Sequence, residues 1–362
     1  MKESTQMSNV IPLKAPGSQV SIDQQCTALI GNFSQHRRVQ GDVFWLKENA
    51  ELLNILECTG MSLSESQMLP MISFYNRIED QICFFQQYYR FILSICLDLE
   101  DLGLAGGKGE DIANWVAREG LAEAELSDLQ RAEAHRLMQR RGINGVVDST
   151  ALEQRLRKFI GRSGTFALPN RKAAYELTHI VFYLSEYGRV DPELDQNALL
   201  SLEYAGLLAY LDQNSDLLAE VCIALHYAGQ QPPVVWMTWI ARQTAGFVIA
   251  DGNSGQRSDA YHDYFVCNWL MAATRRPYFT QQVPRGPMQV RQSATQTGSL
   301  RQMSQMLFEL HNHRSADWPL MRQHLQSELS QEAHDILTAA ESSTDNFESF
   351  FAGFARVGVK LD

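Results

Sequence analysis

The stretch ELTHIVFYLSEYG, Glu176 to Gly188, is answered by LLAEVCIALHYAG, Leu217 to Gly229, and by YHDYFVCNWLMAA, Tyr261 to Ala273. Each is an apolar run of helical length. The first two close on a glycine, the residue that most readily takes the left-handed turn ending a helix. Amphipathic segments near Asn197–Asp212 and Val234–Ala245 lie between them. The unit therefore recurs every 41 to 44 residues, depending on the alignment, and each copy holds two helices. Hairpins of that period bury their faces only against neighbouring copies. The fold expected is all-α: stacked helical hairpins in a closed α/α toroid or an open solenoid, with a further helical region before them.

Working outward, segments Val43–Leu56, Met68–Leu102, Gly109–Arg118 and Asp128–Arg140 carry apolar residues at three- and four-residue spacing, the mark of amphipathic helices. Ser127, with Gln130 three positions on, reads as a helix start, as does Ser149; Gly142 reads as a stop. The chain turns polar and glycine-containing around Gly161–Pro169. This divides it into a flexible tail over 1–19, a helical region over 20–165 and the repeat region over 166–362, the last two either separate or one continuous domain. The aromatic residues Phe74, Tyr75, Phe84, Phe85, Tyr88, Tyr89 and Phe91 are expected in a core. The run Gly103 to Gly109 follows a helix and lacks the Ser or Thr after lysine that a phosphate loop needs, so it reads as a turn. The Gln-, Pro-, Gly- and Ser-rich segment 280–299 reads as a lid or a surface excursion.

Composition narrows the function classes. Hydrophobic residues make up 45% and charged residues 20% of the 362, enough for a proper core. A formal charge of −11 opposes binding to a nucleic-acid backbone, which needs clustered cations. No apolar run approaches the ~20 residues that span a bilayer. The six cysteines show no CxxC spacing, and several, such as Cys83 and Cys96, sit in apolar contexts. They read as buried, reduced thiols, and the expected compartment is cytoplasmic.

With the three similar helices in register, polar residues fall in one phase: His179 to Glu220 is 41 residues and Glu220 to His262 is 42. Equivalent positions of successive inner helices point toward a shared axis, so two imidazoles and a carboxylate are expected to converge. That set suits zinc or non-haem iron, or metal-free acid–base catalysis. Cys222 and His226 share a helix face and are alternate ligands; Glu186 and Asp263 are possible partners orienting an imidazole. Tyr175, Tyr261 and Trp269 are expected in the cavity wall.

The run Trp236-Met-Thr-Trp239-Ile-Ala-Arg-Gln243-Thr-Ala-Gly246-Phe247, followed by Tyr261-His262, resembles units of the terpenoid cyclase and prenyltransferase toroid superfamily over residues 170–275. There an outer helix ends near a Gln-x-x-Gly-aromatic turn and an inner helix follows. The resemblance implies a toroid fold. The superfamily's acidic motifs are missing, Asp98-Leu-Glu-Asp101 being the nearest approximation, so isoprenoid chemistry is not implied. The function expected is a biosynthetic or modifying enzyme, metal-dependent or not, acting on a small apolar molecule or a peptide in the central cavity. The alternative is a non-catalytic helical-repeat protein that binds a partner protein or peptide.

Overall fold

The structure, a computed structural model, describes residues 21–252, 259–292 and 298–358; the expected tail over 1–19 lies outside them. In chain order the helices are α1 (Ile22–Gln35), α2 (Val43–Cys58), α3 (Glu65–Asn76), α4 (Ile78–Phe84), α5 (Tyr89–Leu102) and α6 (Lys108–Arg118). Then come α7 (Asp128–Gln139), α8 (Ser149–Ile160), α9 (Ser163–Phe166), α10 (Arg171–Leu184), α11 (Gln196–Leu211) and α12 (Ser215–Tyr227). They are followed by α13 (Val234–Ala245), α14 (Tyr261–Ala273), α15 (Leu300–Glu309), α16 (Trp318–Glu328), α17 (Gln331–Glu341) and α18 (Phe347–Phe354). Side-chain caps start many of them: Ser127, Asn170, Asp195 and Asn214 each accept from a backbone N–H in the first turn, filling groups the helix leaves unpaired. At α8 the cap is Asp148, one residue before the expected Ser149.

The choice between ring and solenoid is decided by which helices touch. Helix α10 packs on α12, α12 on α14, α14 on α2, α2 on α5, α5 on α7, and α7 back on α10. Six helices thus close a ring, to which α2, α5 and α7 come from the region before residue 166. Helices α11 and α13 bridge successive inner helices from outside, α8 spans α7 and α10, and α6 spans α5 and α7. Helix α1 completes the outer layer, with Phe33 against Tyr261 and Phe265 of α14. Inner helices are enclosed on nearly every side: α12 is buried without a break from Leu217 to Leu225. That explains why these helices read as apolar all round rather than striped.

The repeat is also visible as a ladder of contacts between α10 and α12. Arg171 pairs with Asp212, Tyr175 donates to Asp216, and His179 meets Glu220, each a step of 41 residues. Gly229 ends α12 at φ 71° and Gly188 follows α10 at φ 86°. Arg275 adopts φ 57° after α14, the strain of a side chain where its counterpart is glycine.

Three expectations are corrected. The helical stretch 68–102 is broken at Arg77 and again over Phe85–Tyr88, and this corner leaves Phe84 79% exposed and Phe85 39% exposed, while Phe74, Tyr75 and Tyr89 are buried. Cys83 shares the corner and is exposed, unlike Cys26, Cys96, Cys222 and Cys267. The segment 280–299 contains a strand, β2 (Met288–Arg291), paired antiparallel with β1 (Val248–Asp251); residues 293–297 of it are outside the described set. The described part is tied to α1, with Gln25 and Asn32 donating to the carbonyls of Gln281 and Pro284. Helices α15 to α18 lie outside the ring, reaching α11 through α17 and through Tyr204 beside Ser349 and Phe350. Among the described residues no helix is long and apolar enough to cross a membrane.

Candidate functional site

The inner ends of α10, α12 and α14 bring polar groups into an otherwise apolar ring. Glu220, 3% exposed, accepts from the Thr178 hydroxyl at 2.5 Å and lies 3.6 Å from His179 Nδ1. His262 Nδ1 stands 3.0 Å from Asp216 Oδ1, and its Nε2 stands 3.7 Å from Glu51 Oε1. One ligand atom from each of Asp216, Glu220 and His262 fits within 4.8 Å of the others. The residues expected to share a site, His179, Glu220 and His262, are therefore neighbours.

They occupy two levels, however. His179, in the third turn of α10, is level with Glu220 in the second turn of α12, whereas His262 is in the first turn of α14. The residue of α12 level with His262 is Asp216, four positions before Glu220 on the same face. Asp216 was not among the expected residues, although the 41-residue register that links His179 to Glu220 also links Tyr175 to Asp216. Glu51 had no such signal, because it arrives on α2 through ring closure.

The hydrogen bonds orient these groups. His179 Nδ1 lies 2.8 Å from the carbonyl of Tyr175. An N–H donated there leaves Nε2 with its lone pair, the arrangement that prepares a histidine to be a ligand or base. Tyr175 donates its hydroxyl to Asp216 Oδ2 at 2.7 Å. Asp216 Oδ1 and Glu51 Oε2 are buried and receive no hydrogen bond of normal geometry, an uncommon state for carboxylate oxygens.

Electrostatics follow from crowding. Burial alone would lower the pKa of His262, but its contact with Asp216 and the charges of Glu51 and Glu220 raise it to about 10. Burial raises Glu220, with His179 and Thr178 opposing, and raises Glu51 against His262 and Lys47. For Asp216 burial is outweighed by His262 and Tyr175, and its pKa falls. Three carboxylates thus crowd about two imidazoles, and a cation taken up there would favour their ionised forms.

A cavity of about 310 Å³ opens beside the cluster, on the side of the ring formed by α2, α5, α7 and α10; of the clustered groups Glu51 and His179 line it. Its wall includes Glu51, His179, Tyr183 and Tyr187, with Lys47, Arg90, Glu133 and Arg136. Charged groups thus stand in a wall whose larger part is apolar, with Ala50, Phe91, Leu129 and Leu137 between them. Of the expected wall residues, Tyr175 donates to Asp216, and the nearby charge of Glu51 adds to burial in raising the pKa of Tyr261. Trp269 lies deeper, stacked on Tyr187 at 5.7 Å and donating to Tyr227.

The alternate ligands are not part of the cluster. Cys222 is fully buried on another face of α12, and burial alone raises its pKa. His226, six residues beyond Glu220, faces the opposite mouth, where it lines a second cavity with Arg189, Tyr227 and Arg275. Glu186 pairs with Arg136 and does not orient His179; Asp263 accepts from Ser215, and the partners of His262 are Asp216 and Glu51.

Residues 7–357 match a family described as a domain of unknown function, DUF6902. No curated protein and no solved structure matches the chain.

Proposed function

We propose, from the premise that this chain belongs to the DUF6902 family and on the chemistry of its axis, that it is a metal-dependent enzyme. Its ligands are Asp216, Glu220 and His262, with His179 beside them, and its reaction chamber is the cavity beside the cluster. The observation that carries the reading is the convergence of those ligand atoms within 4.8 Å, with Glu220 buried and Asp216 and His262 partly exposed. Mixed carboxylate and imidazole donors suit zinc or iron(II) with positions left open for water or substrate. Such an ion, when bound, supplies Lewis acidity. The chain's own residues do the rest. Tyr175 and Thr178 hold Asp216 and Glu220 in place, the Tyr175 carbonyl fixes the His179 ring, and Glu51, with an unbonded oxygen, is available to take up or return a proton.

Charged groups in a largely apolar wall favour a small substrate with a polar end, a narrower class than the small apolar molecule or peptide expected from the sequence. A biosynthetic or modifying role, the superfamily kinship and a cytoplasmic setting remain parts of the proposal; six unpaired cysteines support a reducing compartment. The partner-binding alternative has less support, because the unusual polar groups face an enclosed axis rather than an open concave face.

Calorimetric titration of chelator-treated protein with zinc(II), and anaerobically with iron(II), tests the reading. One site per chain is expected, weakened at least about tenfold in Glu220→Gln and in His262→Ala. Equal affinity in wild type and both variants would sink it.

A further inference from the structure

Resting on that reading of the cavity, we propose that its substrate carries an anionic group, a carboxylate or a phosphate, which Arg136 receives. Among the cations lining the cavity, Arg136 stands apart. Arg90 is held by Glu125 and Glu133, and Lys47 lies 3.6 Å from Glu51. Arg136 is only 4% exposed, yet its Nη2 has no hydrogen-bond partner among the described residues. Its Nε meets the carboxylate of Glu186 at 3.0 Å, the one ion pair Arg136 makes among those residues. Glu186 lines an outer cavity between α7, α8 and α10, to which Arg136 also contributes, and not the cavity beside the cluster. An enclosed guanidinium with unused N–H groups is costly unless something accepts from it. A planar fork suits the two oxygens of a carboxylate or phosphate.

The wall between Arg136 and the metal cluster is aromatic. Tyr187 lies under the guanidinium, 4.3 Å from ring centre to Cζ. Tyr183 is the next ring along at 6.3 Å, and His179 follows it at 6.2 Å. These residues sit at four-residue spacing on one face of α10 and its C-terminal turn. A ligand whose charged group is taken by Arg136 would lie along the tyrosines, with its other end toward His179 and Glu51. The anion anchor and the reacting end are thus separate parts of one chamber. Small-molecule sites commonly start near 300 Å³, so the cavity limits the ligand to a small one.

The test uses two probes, benzoate and inorganic phosphate, titrated calorimetrically at low ionic strength into the full chain, both metal-loaded and chelator-treated. At least one anion should bind wild type, about tenfold or more weaker in Arg136→Gln and intermediate in Arg136→Lys, which keeps the charge but loses the fork. Preference between the probes distinguishes a carboxylate from a phosphate ligand. Should the glutamine variant not fold, phenylglyoxal modification of wild type gives the same information: the preferred anion should slow labelling of the peptide carrying Arg136. Binding unchanged in Arg136→Gln, no protection of Arg136, or no binding of either probe at concentrations on the order of 10 mM would overturn the proposal. Metal content is read separately, so anion binding that survives in a chain taking up no metal would leave Arg136 standing while the metal reading fell.

Discussion

Glu220 sits among nine consecutive buried residues of α12, from Leu217 to Leu225, and a charge there disfavours folding unless it is compensated. Its pKa is raised, first by burial, so the folded state prefers the protonated form. The stabilising contribution is present below the unfolded carboxyl pKa and is lost as pH rises through the folded one. At neutral pH, Glu220→Gln keeps an acceptor for Thr178 and removes the buried charge. In chelator-treated protein this variant should melt at or above the wild-type temperature, read by circular dichroism. A fall of more than about 5 °C would mean that Glu220 holds the fold together instead. At this scale much was legible: His179, Glu220 and His262 could be named from spacing, because a polar residue on an enclosed helix has few other uses. Cys83 could not be placed, because Ile82-Cys83-Phe84 looks like core by composition and only the break after α4 turns it outward.

At the scale of elements, closure of the ring depends on α14 meeting α2, and buried charges reinforce that seam. Arg37, after α1, bonds Glu48 of α2 and Asp259 ahead of α14, with all three side chains at most 6% exposed. It also lies over the rings of Phe33 and Tyr261. Arg37→Ala would leave the buried Asp259 without its cation and Glu48 with Arg38 alone, a change costing roughly 3–5 kcal/mol. Chemical denaturation should show that loss; one below about 1 kcal/mol would mean that the seam is held by apolar packing alone. The hairpins of this layer were readable because their period is local. The seam was not, since Arg37 and Asp259 are distant in sequence and each reads singly as a surface charge. The short strands β1 and β2 were missed for the same reason: four residues each, paired across the whole of α14.

For the whole molecule, the ring explains why half of the site came from where the repeats did not extend. The 41-residue register reached α10, α12 and α14, whereas Glu51, Arg90, Glu133 and Arg136 come from α2, α5 and α7, whose hairpins carry no visible repeat. Sequence periodicity described one side of the chamber, and tertiary closure supplied the other with most of its charge. On the function proposed above, this axis holds a divalent metal on Asp216, Glu220 and His262. The most direct test is crystallography of protein grown in zinc-supplemented medium, with data on both sides of the zinc absorption edge. An anomalous peak roughly 2.0–2.2 Å from those three residues' ligand atoms is the result predicted. A fully ordered axis with no peak there, in crystals whose His262 still pairs with Asp216, would contradict it.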